Sequence, residues 1–286
     1  MRSIVLLSAA LTAVFAFDAH AVNLVPNNSF ESYVSCPTGF SQFFQTVAWT
    51  TPTAGTSDLY NACAPTGFPS VSVPYNTFGQ QAARTGVGYA GVIVYSAAPG
   101  YREYVEAPLT SPLVASNTYY VEFWLSLSDT VDTAIDRMGA YLSVGSVGPQ
   151  AYNTALPFTP QVESPAATFL TDKVNWIKVS GTFVAAGGED HIVIGNFHDD
   201  ANTATTPAGG TWPGTNYYVD DVLVELQAPT DQACCTPDGL CSMMLPGECL
   251  AIGGTPLGVG VNCDAGPCGV VAAKKTTWGA IKSVYR

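Results

Sequence analysis

The chain has 286 residues, a formal net charge of −12 and only 11% charged residues. Nucleic acid and anionic membrane surfaces repel such an acidic chain, so neither is expected as a partner. Its 27 Gly and 20 Pro, together with plentiful Thr, Ser, Tyr and Val, predict an all-β chain of short strands joined by turns.

Residues 1–21 have the pattern of a secretory signal peptide. Arg2 precedes an apolar stretch, and Ala19-His20-Ala21 has the small-x-small pattern of a cleavage site. The alternative is a membrane anchor, but the apolar stretch is short for a span and is broken by Asp18. We therefore expect a secreted or cell-surface protein whose mature chain has no transmembrane span.

The eight cysteines are expected to form disulfides, because export places them in an oxidising compartment. A disulfide between Cys36 and Cys63 would close a loop of about 27 residues, which the chain-entropy model values at about 3 kcal/mol. Within residues 229–269 the spacing lacks the Cys-x2-Cys pairs and the histidine of a zinc site, which favours disulfides, with fifteen pairings open. The six cysteines there are Cys234, Cys235, Cys241, Cys249, Cys263 and Cys268.

The central stretch, residues 119–129, alternates between two kinds of side chain. Tyr119, Val121, Phe123, Leu125 and Leu127 fall on one face at a period of two, which predicts a strand with that face buried. The opposite face mixes an indole, a carboxylate and hydroxyls, a mixture suited to a wet concave surface. Other predicted strands are residues 88–95, 101–106, 137–144, 176–184, 191–197 and 216–226, and only residues 129–136 could hold a helical turn.

Three segments resemble the first, a late and the final strand of the galactose-binding-like jelly roll that is common among carbohydrate-binding modules. They are NLVPNNSFE (residues 23–31), WIKVSGTF (176–183) and YVDDV (218–222). The resemblance implies an antiparallel β-sandwich of the jelly-roll type over residues 22–228.

Further motifs are similar to the N-terminal domain of exported Bacteroidetes-type surface proteins associated with OmpA-like or gliding-motility domains. They are SCP (35–37), LYNAC (59–63), VPYNTFG (73–79), YREY (101–104), LTSPL (109–113) and IGNF (194–197). No OmpA-like segment follows, so peptidoglycan binding is not implied. Instead residues 229–269 resemble a short cysteine-rich repeat of exported proteins, and residues 270–286 form a basic tail.

The jelly-roll resemblance also implies a structural calcium ion. In such relatives a Glu at the end of the first strand and an Asp of the final Asp-Asp-Val hold the ion, and these positions are Glu31 and Asp220 or Asp221 here. Carboxylates and backbone carbonyls are suitable Ca2+ ligands. Since consecutive strand residues point to opposite faces, only one of the two aspartates is expected to reach the ion. The alternative is that these carboxylates merely solvate a strand end.

Five side chains are candidates for holding a ligand, expected to be a glycan or another cell-surface polymer: Trp124, Tyr104, Arg102, Glu122 and Tyr141. Aromatic rings can stack on the apolar face of a sugar, while Arg and Glu can bind its hydroxyls. Packing inside the sandwich is the alternative for each aromatic residue.

The sequence favours a non-catalytic module over an enzyme. It contains neither a Gly-x-Ser-x-Gly nor a His-Glu-x-x-His motif. A glycosidase needs only two carboxylates, which Glu103, Glu106, Glu122 and Asp129 could supply in principle. We therefore predict an exported carbohydrate-binding module, with a structural or adhesive envelope protein as the main alternative and a glycoside hydrolase as the weaker one.

Overall fold

The computed structural model describes residues 22–227, 231–258, 261–264 and 266–268. The chain divides into two compact units after Gln227. The predicted signal peptide (residues 1–21) and the predicted basic tail (residues 270–286) lie outside the described residues.

The regular secondary structure of the first unit is β-strand, apart from a single 3-10 turn at Phe43–Gln45 among its described residues. In chain order the strands are β1 (Asp58–Asn61), β2 (Tyr75–Asn76), β3 (Gly79–Gln80), β4 (Gly88–Ser96), β5 (Tyr104–Pro108), β6 (Thr118–Leu127), β7 (Thr133–Ile135), β8 (Gly139–Ser143), β9 (Val162–Glu163), β10 (Ile177–Val184), β11 (His191–Gly195), β12 (Thr205–Pro207) and β13 (Gly214–Leu226).

Two antiparallel sheets form a sandwich. One has five strands in the order β1-β4-β13-β6-β10, and the other has four in the order β5-β11-β8-β9. The short pairs β2-β3 and β7-β12 stand apart from both sheets. The predicted antiparallel β-sandwich is therefore confirmed.

The core lies between the inner faces of the two sheets. Val121, Phe123 and Leu125 of β6 are fully buried there, together with Val105 of β5 and Ile194 of β11. Burying one such side chain contributes about 1.5 to 3 kcal/mol, so these alternate positions fix which face of β6 turns inward. The predicted inward face of the central strand is confirmed.

A β-bulge interrupts β13 where it pairs with β6. Asp220 lies opposite Trp124, but the next paired residue is Leu223, opposite Glu122, so β13 has one extra residue here. Asp221 occupies the left-handed region, with φ of 47°. A bulge breaks the alternation of side chains. Consequently Asp220 and Asp221 both contact one loop, and the strict alternation behind the expectation that only one aspartate reaches an ion does not hold here.

The segment predicted as a first strand, residues 23–31, is irregular in the structure. Positive φ angles at Asn27 and Phe30 break the extended conformation. The segment still lies against the last strand, because the N–H of Leu24 donates to the carbonyl of Val224 at 2.7 Å, and the N–H of Val222 donates to the carbonyl of Asn28 at 2.9 Å.

The region in which a helical turn was predicted, residues 129–136, instead contains strand β7. Its register pairs Ala134 with Thr206 and Ile135 with Thr205 of β12. Ala134 and Ile135 are fully buried, and the N–H of Ile135 donates to the hydroxyl of Tyr217 at 3.2 Å. Burial in the sandwich therefore decides the conformation of this segment.

The second unit is a small disulfide-rich module. It contains β14 (Gln232–Cys235), β15 (Cys241–Met244), α1 (Pro246–Ala251) and β16 (Thr255–Pro256), with β14 at the centre of a three-stranded sheet. Three disulfides cross-link it: Cys234–Cys249, Cys235–Cys268 and Cys241–Cys263. Within the described residues, no helix is long and apolar enough to cross a membrane.

Candidate functional site

A long connection covers one half of the outer face of the five-stranded sheet. Residues 62–87, which we call the covering loop, join β1 to β4. Its Val71 and Phe78 pack against Tyr60, Tyr89 and Tyr218 on the sheet, forming a second hydrophobic cluster outside the main core.

Hydrogen bonds fasten the covering loop to the tyrosines beneath it. The Asn76 side chain accepts a hydrogen bond from the Tyr218 hydroxyl at 2.8 Å. Its amide nitrogen donates one to the Tyr89 hydroxyl at 3.1 Å. The Tyr89 hydroxyl in turn lies 3.1 Å from the carbonyl oxygen of Gln81. The Cys36–Cys63 disulfide is present where the loop begins. Several hydrogen bonds and one disulfide therefore hold the loop against the sheet.

The covering loop carries a cleft of about 400 Å3 on its solvent side. The cleft is lined by Thr66, Gly67, Phe68, Ser70, Tyr75, Asn76 and Thr77. Phe68 is 89% exposed and Tyr75 is 63% exposed. Large apolar rings exposed beside hydroxyl groups are typical of a surface that binds a ligand with both apolar and polar faces.

The walls of the cleft are held by internal hydrogen bonds. The N–H of Ser70 donates to the Thr77 hydroxyl at 2.7 Å, and the N–H of Thr77 donates to the carbonyl of Ser70 at 3.0 Å. The Ser70 hydroxyl donates to the carbonyl of Pro65 at 3.2 Å. A cleft that is already ordered loses less conformational entropy when it binds a ligand.

The other half of the sheet's outer face is more open and contains two of the predicted ligand residues. Glu122 accepts hydrogen bonds from the Trp124 indole at 2.7 Å and from the Tyr120 hydroxyl at 2.6 Å. Lys178, opposite Trp124 on β10, lies 3.5 Å from the Glu122 carboxylate. Partial burial alone would raise the pKa of Glu122, but these hydrogen bonds outweigh it and lower the pKa below its usual value.

Trp124 does not offer a free ring face on the side of the covering loop. The guanidinium carbon of Arg84 lies 3.7 Å from the ring centroid, within cation–π range, and Lys178 lies 5.9 Å from it. Arg84 is itself paired with Asp221. A sugar that stacked on this side of Trp124 would have to displace Arg84.

The prediction that Arg102 and Tyr104 contact a ligand is wrong, because both side chains are fully buried. Arg102 donates to the carbonyl of His198 at 3.0 and 3.2 Å and pairs with Asp200 at 2.9 Å. The Tyr104 hydroxyl accepts the N–H of Leu156 at 3.0 Å. Both side chains hold loops onto the sandwich.

Tyr141 is separated from Trp124 by the whole sandwich. It lies on the outer face of the four-stranded sheet, where it stacks on Phe158 with ring centroids 4.6 Å apart. The predicted ligand residues are therefore divided between two opposite outer faces and cannot form one site. The aromatic side chains of Trp49 and Tyr60 are also buried.

The three predicted calcium ligands all contact residues 84–88, where the covering loop meets β4. Asp220 accepts the N–H groups of Arg84 and Thr85 at 2.8 and 3.3 Å. Glu31 accepts those of Val87 and Gly88, each at 2.9 Å.

This arrangement does not fit a calcium ion, because N–H donors already occupy Oε1 of Glu31 and both carboxylate oxygens of Asp220. Burial, and then the neighbouring charge of Asp221, raise the pKa of Asp220 to about 8. Within the described part of the chain, no group of three acidic, histidine or cysteine side chains is placed to hold a metal.

The carboxylates considered for glycosidase chemistry are engaged in structural contacts. Glu103 is buried and accepts the N–H groups of Thr56 and Ile93 at 2.9 and 2.8 Å. Glu106 is also buried and accepts the N–H of Val147. Asp129 accepts the N–H of Gln80 at 2.8 Å. Their arrangement gives no specific support to hydrolysis.

Phe68 and Tyr75, the two exposed rings that line the cleft, were not among the ligand residues predicted from the sequence. The prediction used the alternation of side chains along strands, and these two residues lie in a turn-rich connection. The available signal was a large apolar residue between Gly67 and Pro69, in a polar segment with no strand periodicity.

No protein-family model matches the chain, and no curated protein matches it. The xylan-binding CBM22-1 domain of Paenibacillus barcinonensis Xyn10C is 12% identical, with a TM-score of 0.35 over 70% of this chain and 91% of that domain. The K3 cleaved adhesin domain of Lys-gingipain from Porphyromonas gingivalis is 14% identical, with a TM-score of 0.37 over 72% and 99%. TmCBM61, solved with beta-1,4-galactotriose, is 13% identical, with a TM-score of 0.31 over 72% and 99%. Similarities at this level carry no argument about ligand.

Proposed function

We propose that the protein is an exported, non-catalytic carbohydrate-binding module whose ligand occupies the cleft of the covering loop. The observation that carries the proposal is the pair of exposed rings, Phe68 and Tyr75, in a cleft otherwise lined by hydroxyl, amide and glycine groups. A pyranose presents the complementary combination, an apolar C–H face and a rim of hydroxyls.

Export is part of the proposal and is supported by the cysteine chemistry. Four disulfides use all eight cysteines of the chain, and such bridges persist in oxidising compartments. Residence at a bacterial cell surface, as in the exported Bacteroidetes-type proteins that the sequence resembles, stays a prediction.

A glycan array with the full chain, followed by titration calorimetry on the best ligand, tests the proposal. We expect Phe68→Ala and Tyr75→Ala each to weaken binding about tenfold, or ~1.4 kcal/mol, because each removes one stacking surface. Phe44→Ala is the matched control, since Phe44 is 69% exposed but does not line the cleft. An array without any bound glycan contradicts the proposal.

The structural or adhesive alternative has one observation in its favour. Arg84 covers the ring of Trp124, the aromatic residue that the sequence places on the ligand face. If the chain only presents its cysteine-rich module, the three alanine variants above will be equivalent in every binding assay.

A further inference from the structure

We propose that the guanidinium of Arg84, in the covering loop, is an internal counter-ion at the place where the sequence resemblance implies calcium. The opening segment, the covering loop and β13 are then held together without a metal. Glu31, Asp220 and Asp221 come from the opening segment and from the bulge of β13. All three carboxylates contact residues 84–88.

The donors around these carboxylates are numerous and specific. Besides the four N–H groups of the loop, Asp220 accepts the N–H of Asp221 at 2.8 Å. Asp221 accepts the Thr85 hydroxyl and pairs with the Arg84 guanidinium. A carboxylate oxygen that accepts these hydrogen bonds has fewer lone pairs left for Ca2+.

Gly86 keeps the loop close to Glu31. Its φ is +64°, and a Cβ atom there would come within 2.2 Å of the Glu31 carboxyl carbon. Any other residue at this position would be strained by the positive φ, and its Cβ atom would displace the end of the Glu31 side chain. Glycine therefore allows the loop backbone to approach Glu31 closely.

Arg84 also connects two strands of the sheet. It pairs with Asp221 of β13 and stacks on Trp124 of β6. The Asp221 side chain is only 12% exposed, so its charge is costly without a partner. Arginine suits both contacts, because its planar group can stack on an aromatic ring while it donates hydrogen bonds at its edge.

Thermal unfolding of the full chain in EDTA and in excess CaCl2 tests the inference. For the wild-type chain we expect the same melting temperature in both. Arg84→Gln removes the charge, and we expect it to lower the melting temperature in EDTA by about 4 °C or more. Calcium should recover part of this loss, because the acidic group then lacks its internal cation.

Arg137→Gln is the matched control. The Arg137 side chain is 26% exposed, against 30% for Arg84, and it pairs with Glu163 at 2.6 Å outside this acidic group. Its variant should show no calcium response.

Two results would overturn the inference: a lower melting temperature of the wild-type chain in EDTA, or an Arg84→Gln variant as stable as the wild type in both solutions. The wild-type comparison remains decisive even if Arg84→Gln fails to fold. It is also independent of glycan binding.

Discussion

Two carboxylates are buried beside strand β4. Asp58 of β1 pairs with Gly91, and the N–H of Glu103, just before β5, donates to the carbonyl of Ile93. Asp58 accepts the N–H of Ser41 at 2.6 Å, and Glu103 accepts the N–H groups of Thr56 and Ile93. Burial, and then the charge of Glu103, raise the pKa of Asp58 well above its usual value, and burial also raises the pKa of Glu103. Folding therefore raises the proton affinity of both carboxyl groups.

We expect Asp58→Asn to reduce the pH dependence of stability. When the folded pKa is above the unfolded value of about 3.9, the native state binds more protons, so the free energy of unfolding falls as pH rises from about 4 toward the folded pKa. Asparagine retains the acceptor for Ser41 but does not titrate. Urea unfolding from acidic to neutral pH should show a shallower fall for the variant.

Asp172→Asn is a control variant, because the Asp172 carboxyl affects the pH dependence of stability in the opposite direction. Backbone N–H groups of Asn175 and Val174 lower the pKa of Asp172, so its contribution to stability is present at neutral pH and is lost as pH falls. If Asp58→Asn and the wild type have the same pH profile, Asp58 does not have a raised pKa.

Arg102 illustrates what side-chain chemistry alone does not predict. An arginine beside aromatic residues fits a ligand surface, but its donors here are used by the carbonyls of Tyr101 and His198. Those carbonyls come from loops whose paths depend on the tertiary fold. A sequence pattern does not contain that information, so the sequence alone was compatible with Arg102 binding a ligand or holding a loop.

At the scale of the element, alternation predicted β6 well but did not predict which sheet each strand joins. The inward positions of β6 are buried as expected, because a period of two follows directly from strand geometry. Tyr104 and Trp124 both point outward, but β5 and β6 belong to different sheets. Sheet membership depends on long-range pairing, so the sequence could not show that these residues lie on opposite sides.

The covering loop depends on the Cys36–Cys63 disulfide. The bridge spans 27 residues and lies at the start of the loop. We expect the Cys36→Ala/Cys63→Ala double variant to lose about 3 kcal/mol, which corresponds to a fall of about 6 to 12 °C in melting temperature. Calorimetry measures this shift, and an unchanged melting temperature would contradict the role of the bridge.

For the whole molecule, the cleft and the residues that support it belong to the first unit. We therefore expect a chain of residues 22–227 to fold and to bind the same glycan with unchanged affinity. Titration calorimetry of this shorter chain against the full chain is the measurement. A loss of affinity in the shorter chain would mean that residues after Gln227 take part in binding.

The fold class followed from composition because many Gly, Pro, Thr and Val residues favour short strands and turns. The cleft did not, because its shape depends on the second hydrophobic cluster beneath the covering loop. That cluster joins Val71 and Phe78 to tyrosines on three different strands. Such a set is assembled only once the sheet has formed.

The covering loop has its own cluster of packed side chains, distinct from the core between the sheets. Its tip can therefore vary while both clusters stay intact, much as hypervariable segments vary on an antibody framework. Thr66, Gly67 and Phe68 are all exposed, and randomising them would give a library of related receptors. New specificities could then be selected from one stable scaffold.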